Sequence, residues 1–127
     1  MRAEGVDCLD EKKMAQVLSL PVFSSLRGYT LWREREFLLS VPACEITESS
    51  SRDSLLVQGA IDLLAVRGDA CIVVDYKYSV HDAARLLQDY TPQLRIYAAA
   101  ARRISGVKTV RACIVNILRG YAVDVPL

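Results

Sequence analysis

The chain has 127 residues, enough for one domain with a sizeable core and too few for two. Hydrophobic residues make up 52% and charged residues 24%, the balance of an ordinary soluble globular protein, and no apolar run approaches the ~18 residues of a membrane span. The formal charge of +1 excludes a bulk polycation, so affinity for nucleic acid has to come from a local basic face or from a partner.

The first residues, MRAEGVDCLDEKK, lack the pattern of a signal peptide, and the expected setting is the cytoplasm without contact to a membrane. Residues 9–18 have helical character, Pro21 interrupts or restarts the chain, and residues 23–28 are expected to form a second short helix ended by Gly28. Residues 32–39 suit a strand through their aromatic and apolar content. The polar stretch 48–53 is a loop, followed by two stronger strands rich in Val, Ile and Leu over residues 55–66 and 71–78. Residues 82–104 form a long alanine-rich helix with Asp82 as N-cap, and Pro92 predicts a break or restart near Tyr90. A last long strand covers residues 107–118, and residues 121–125 pair back through Arg119-Gly120. There is no internal repeat. The order predicts a mixed α/β domain around one sheet.

The cysteines Cys8, Cys44, Cys71 and Cys113 lie far apart without a CxxC pair, which disfavours zinc and iron–sulfur sites. Cys71 and Cys113 sit inside apolar runs and read as small buried hydrophobes.

Between the two central strands, Gly68-Asp69 makes a two-residue hairpin turn, with glycine at a position that requires positive φ. Centring the turn there pairs residues whose numbers sum to 137: Val66 with Cys71, Leu64 with Val73, Asp62 with Asp75, and Ala60 with Lys77. Opposed residues in a ladder have Cβ atoms about 5 Å apart, so two carboxylates are brought side by side in an apolar setting. Ile61, Leu63 and Ala65 are expected to share one face against Ile72, Val74 and Tyr76. Like charges so placed repel, and burial worsens the cost. A divalent cation with a preference for oxygen ligands, Mg²⁺ above all, is the natural compensation. Lys77, two residues after Asp75, projects to the same face and can orient a water or offset developing charge in phosphodiester hydrolysis. The competing explanation is a structural ion-pair cluster at a strand end.

These residues belong to a longer pattern. Gly59-Ala60-Ile61-Asp62, then Asp75-Tyr76-Lys77, then Gln93 to Tyr97 match GxxD, DYK and QxxxY in order. Each motif is weak alone, but the three together resemble the RecB-like nucleases of the PD-(D/E)XK superfamily, over roughly residues 32–118. The resemblance is to the C-terminal nuclease domain of AddA-type helicase-nucleases. It implies a restriction-endonuclease-like α/β fold, a central mixed sheet flanked by helices, and DNA cleavage dependent on Mg²⁺, with Mn²⁺ as a substitute ion. It also implies a role in recombinational DNA repair, with the partner being a helicase portion or subunit. Carried over, Asp62 and Asp75 are the metal-binding carboxylates, the Tyr76 carbonyl a further ligand and Lys77 the catalytic lysine. Gln93 and Tyr97, four apart on one helix face, would support the site or touch DNA; without the family, Tyr97 reads as a half-buried core aromatic. Glu34 corresponds to the glutamate that precedes Phe37 by three in the AddA-type strand, with Glu36 as its rival; both otherwise read as solvated charges.

Two departures stand out. The family commonly has a histidine on a helix upstream of the glutamate strand, and here the sole histidine, His81, follows the DYK strand as a loop residue. The upstream region is also short. Residues 1–127 are thus expected to be a single nuclease domain, either a piece of a larger helicase-nuclease or a reduced homologue. There is no P-loop, so this chain is not itself an ATPase. A nuclease-fold module that binds DNA or a protein without cutting is the alternative function, and an unrelated α/β domain a third. Arg85, Arg95, Arg102 and Arg103 on the long helix are either phosphate contacts or a solvated face.

Overall fold

Runs of valine, isoleucine and leucine bounded by turns give five strands, and the alanine-rich segment gives one long helix. The computed structural model of the chain describes residues 11–46, 50 and 52–127, with side chains from residue 15 onward. The elements are α1 (Glu11–Leu18), α2 (Pro21–Ser24), β1 (Thr30–Pro42), a 3₁₀ turn (Ala43–Glu45), β2 (Ser54–Arg67), β3 (Ala70–Lys77), α3 (Ala83–Ser105), β4 (Thr109–Asn116) and β5 (Tyr121–Asp124). One sheet holds all five strands in the order β1-β2-β3-β4-β5, antiparallel except for the β3–β4 pair. A parallel pair needs a long crossover, and α3 supplies it. The expected mixed α/β architecture is therefore present.

The hairpin turn falls where expected. Gly68 has φ +57°, and the five pairs from Arg67–Ala70 to Leu63–Val74 all keep the sum of 137. Asp69 ties the turn to the start of β4: its Oδ1 accepts from Lys108 N and its carbonyl from Thr109 N, both at 3.1 Å.

Two helix expectations need correction. The second short helix is Pro21–Ser24 rather than 23–28, because proline's fixed φ and missing N–H suit the first helical position. The long helix runs unbroken through Pro92. The hydrogen bond that proline removes would have gone to the carbonyl of Gln88, an exposed residue where water can serve it, and the neighbouring Thr91 hydroxyl donates to the Leu87 carbonyl at 2.6 Å. Asp82 is the N-cap as expected, its side chain accepting from Arg85 N at 2.9 Å. Of the remaining expectations, Cys8, the helix start at residues 9–10 and loop residues 48, 49 and 51 lie outside the described residues.

The sheet buries both faces. Under α3 lie Phe37, Ile61, Leu64, Val73 and Ile114, with Leu86, Leu94, Ala100 and Ala101 from the helix. On the other face Leu63, Ala65, Ile72, Val74 and Val115 pack against Val17 and Leu26. Four consecutive buried alanines, 98–101, let α3 approach the strands closely. Each fully buried Leu, Ile or Val contributes about 1.5–3 kcal/mol to this core. Cys71 and Cys113 are buried as expected, and burial pushes the Cys113 thiol up to about 12, so neither offers a thiolate for chemistry.

Strict alternation fails in one place. Ile61 faces α3, as does Leu64, whereas Leu63 and Ala65 face the other side. The expected grouping of Ile61 with Leu63 and Ala65 is thus wrong. The exchange of faces occurs at Asp62, and β1 makes the same exchange beside it. Trp32 pairs with Leu64 and Phe37 with Gly59, while the step between Arg33–Leu63 and Arg35–Ile61 is unpaired. Glu34 stands at that step with φ +49°, the only non-glycine residue in the left-handed region among the described residues. That conformation costs about 1–2 kcal/mol and turns the strand so that the faces swap without an inserted residue.

Candidate active site

β2 and β3 pair up to Leu63–Val74 and then part. Asp62 and Asp75 are therefore not opposed across a regular ladder, which corrects the expected geometry, and Ala60 does not pair with Lys77. The Asp62 carboxylate enters the gap instead: its Oδ2 accepts from the Tyr76 backbone N–H at 2.8 Å. A side chain has replaced the carbonyl that would have continued the ladder. The two aspartates still come together, since Asp62 acts directly on the protonation of Asp75.

Asp75 is 3% exposed, one of two buried polar or charged side chains among the described residues. Its Oδ2 lies 3.0 Å from Lys77 Nζ as an ion pair and has no hydrogen-bond partner among the described residues. Burial pushes the Asp75 carboxyl up from 3.8 to about 6; Lys77 pulls against this, and Asp62 pushes it up again. The desolvation outweighs the lysine. A buried oxygen with an unfilled lone pair, beside a second carboxylate, is a hard anionic donor set that fits a small divalent cation. Mg²⁺ typically takes one or two carboxylates and completes its shell with water and phosphate oxygens. Asp62, Asp75 and the Tyr76 carbonyl are the residues that would hold it.

Lys77 is positioned from three sides. Besides Asp75, its ammonium donates to Gln93 Oε1 at 3.1 Å and sits 4.2 Å from the centre of the Tyr90 ring. Gln93 Nε2 donates in turn to the Tyr97 hydroxyl at 3.3 Å. Residues 90, 93 and 97 recur at helical spacing, so one stripe of α3 faces β3 with polar groups. Burial, then the charges of Asp75 and Asp62, pushes the Tyr97 hydroxyl's pKa up. The Tyr97 ring meets Phe37 edge to face at 5.7 Å. Both rings press on Gly59: a Cβ there would lie 3.1 Å from Phe37 Cζ and 3.3 Å from Tyr97 Cε1. The glycine of GxxD thus makes room for the tyrosine of QxxxY.

Sequence reasoning missed two positioning residues. Tyr90 is one. Asn116 is the other, fully buried at the end of β4 and in register with Lys77. Its Nδ2 donates to the Ser79 carbonyl at 2.9 Å, and its Oδ1 accepts from Ser79 N at 3.3 Å. It therefore fixes the loop leaving Lys77, and the Tyr121 hydroxyl adds a bond to the His81 carbonyl at 2.9 Å. A lone asparagine at the end of an apolar strand carried no signal beyond its polarity.

Glu34 is not drawn into this group. It is exposed, at the unpaired step beside Asp62, and no three His, Cys, Asp or Glu side chains gather into a metal-binding group among the described residues. Glu36 is exposed too. Arg85 pairs with Asp89 and Arg103 with Glu45, each at 3.0 Å, so these helix arginines behave as a solvated, ion-paired face.

Against known proteins, residues 10–123 match the PD-(D/E)XK nuclease superfamily. The A subunit of the ATP-dependent helicase/nuclease of Carboxydothermus hydrogenoformans is 35% identical over 118 residues, covering 84% of this chain and 10% of that protein. The protein of the same name from Desulforudis audaxviator is 35% identical over 112 residues, covering 82% and 9%. That from Alkaliphilus oremlandii is 32% identical over 105 residues, covering 77% and 9%. The chain spans about a tenth of the length of the curated relatives it matches.

Proposed function

The chain belongs to the PD-(D/E)XK nuclease superfamily, with its restriction-endonuclease-like α/β fold, and we propose that it is a Mg²⁺-dependent deoxyribonuclease domain working within a helicase-nuclease. Mn²⁺ is the substitute ion, recombinational repair and DNA end processing in the cytoplasm are the setting, and the helicase portion is the partner. The observation that carries this reading is Asp75: a buried carboxylate with an unfilled oxygen, facing Asp62 and flanked by Lys77.

A divalent ion held by Asp62, Asp75 and the Tyr76 carbonyl would supply a Lewis acid for the phosphate and lower the pKa of an attacking water. The protein's own groups do the remainder. The Tyr76 N–H fixes the Asp62 carboxylate, so that little reorganisation is needed when substrate arrives. Gln93 and the Tyr90 face hold the Lys77 ammonium where it orients the nucleophilic water or offsets charge on a phosphoryl oxygen. Tyr97 keeps Gln93 turned toward the lysine. On β1, Glu34 stands at the unpaired step across from Asp62 and is the candidate there to touch the water or substrate.

The test incubates the chain with labelled single- and double-stranded DNA in Mg²⁺, Mn²⁺ or EDTA, beside Asp75→Ala and Lys77→Ala. Cleavage that needs the metal and disappears in both variants supports the nuclease reading. Glu34 is exposed and forms no three-carboxylate group with the aspartates among the described residues, which favours a second reading, a nuclease-fold module that binds DNA or a protein without cutting. Metal binding by calorimetry with no cleavage in either ion would select it.

A further inference from the structure

On the α3 side of the sheet a cleft of about 370 Å³ opens between β1 and the last turn of α3. Its walls are the aliphatic side chains of Leu64, Val66 and Ile104, and its rim carries Trp32 and Arg35. Trp32 is 51% exposed, an unusual state for so large an apolar surface. Arg35 makes only a 3.4 Å hydrogen bond to the Glu36 carbonyl and no ion pair among the described residues. Thr30 and Ser105 add hydroxyls; that of Ser105 donates to the Ala101 carbonyl at 2.6 Å and also meets the Cys71 thiol, which leaves Thr30 as the exposed hydroxyl of the cleft.

The cleft adjoins the carboxylates. Leu64 is two residues beyond Asp62 on β2, about 7 Å along the strand. Arg35 pairs with Ile61, the residue before Asp62. The exchange of faces at Glu34 and Asp62 is what brings Trp32 and Arg35, three apart, to the same side; regular alternation would have put them on opposite sides. An open aromatic face, an apolar slot, a guanidinium with no ion pair among the described residues and an exposed hydroxyl suit one flat heterocycle joined to a phosphate. A paired base is excluded, because its faces are stacked and its edge engaged within the duplex.

We propose that this cleft is a subsite for an unpaired nucleobase of single-stranded DNA, stacked on Trp32, with Arg35 on the adjoining phosphate. The proposal rests on the nuclease reading and adds to it a position, at Trp32 and Arg35, for the nucleotide flanking the scissile one.

Trp32 is the chain's one tryptophan, so its emission reports on this cleft alone. The 127-residue chain, in EDTA at low salt, is titrated with oligothymidylate of about ten nucleotides, a length that spans a typical single-strand site. The expected result is saturable quenching by the single strand and none by a blunt duplex of equal length. Measured by anisotropy of a labelled strand, Trp32→Leu should weaken binding roughly tenfold, while Trp32→Phe should restore most of it. Arg35→Ala should reduce the salt slope by roughly 0.7, one phosphate contact on a single strand. Strand binding that leaves Trp32 emission unchanged, quenching by duplex of equal strength, wild-type affinity in Trp32→Leu, or no binding at all would each overturn the subsite. Metal-dependent cleavage lost in Asp75→Ala tests the nuclease reading separately: it stands if cleavage survives a failed subsite, and quenching without cleavage would leave the subsite standing alone.

Discussion

Asp75→Asn separates a structural ion pair from a functional carboxylate. A carboxyl raised from 3.8 to about 6 binds its proton more tightly in the folded state than in the unfolded one. Unfolding stability therefore falls as pH rises between about 4 and 6, where the unfolded chain has lost the proton and the folded chain still holds it, and it is flat above. The charge costs the folded state about 3 kcal/mol at pH 7, at 1.36 kcal/mol for each tenfold preference. Asparagine has the shape of the neutral acid and keeps an oxygen toward Lys77, while that lysine retains Gln93 and the Tyr90 face. In EDTA at pH 7, Asp75→Asn should be more stable than wild type by about 2–3 kcal/mol in urea. For a domain of this size that corresponds to a melting temperature higher by roughly 6–12 °C. The two proteins should converge near pH 4. With Mg²⁺ the wild type alone should gain stability, by about 1.4 kcal/mol at a tenfold excess over the dissociation constant. If Asp75→Asn is instead less stable than wild type at pH 7 in EDTA, the Asp75–Lys77 pair is a stabilising structural element and the argument from desolvation fails.

Three other substitutions test the supports of the site. Gly59→Ala should lower stability by about 1–2 kcal/mol in urea denaturation and reduce cleavage, because the new methyl displaces Phe37 or Tyr97, which lie 3.1 and 3.3 Å from its place. Asn116→Ala should cost about 2–4 kcal/mol, since it strips partners from the Ser79 N–H and carbonyl in a buried setting, and hydrogen exchange should show Ser79 opening first. Tyr90→Leu should lower kcat roughly tenfold with little change in KM, the loss of a partly buried cation–π contact of about 1–2 kcal/mol at Lys77, whereas Tyr90→Phe should keep kcat near the wild-type value.

Much of this site is legible in the residues alone, and the reasons differ by residue. The register of β2 on β3 follows from Gly68, because a two-residue turn leaves one pairing. Lys77, Gln93 and Tyr97 emerge from motifs whose spacing is enforced by periodicity: two along a strand and four along a helix. What escapes are the places where that periodicity is broken. A period of two predicts Asp62 opposite Asp75, whereas the strands part and the carboxylate bonds the Tyr76 N–H. The same rule cannot foresee that Glu34 adopts a left-handed φ, a choice disfavoured locally and imposed by the pairing on either side. Pro92 misleads in the opposite direction, since its missing bond falls on a side of α3 that water can reach. Asn116 and Tyr90 carry their roles only in three dimensions, through a parallel register and a helix facing that no local pattern encodes.

The missed features and the recognised motifs share one cause. A sheet under a helix gains most when the facing stripe of the helix is apolar, as Leu86, Leu94 and Ala98 to Ala101 show. Against β3 that stripe is interrupted by Tyr90, Gln93 and Tyr97, each with a polar atom or π-face directed at Lys77 or at the residue holding it. Opposite them the sheet has lost a regular pairing, holds Glu34 in an unfavourable conformation, and buries a carboxylate whose hold on its proton is raised above all by burial. A purely structural cluster would be more stable with Asn at 75 and aliphatic residues along the helix. Several independent costs converge on one small volume, while the remainder of the core follows simple rules. That concentration is expected of a site that gives up fold stability to hold charges ready for a cation and a phosphodiester.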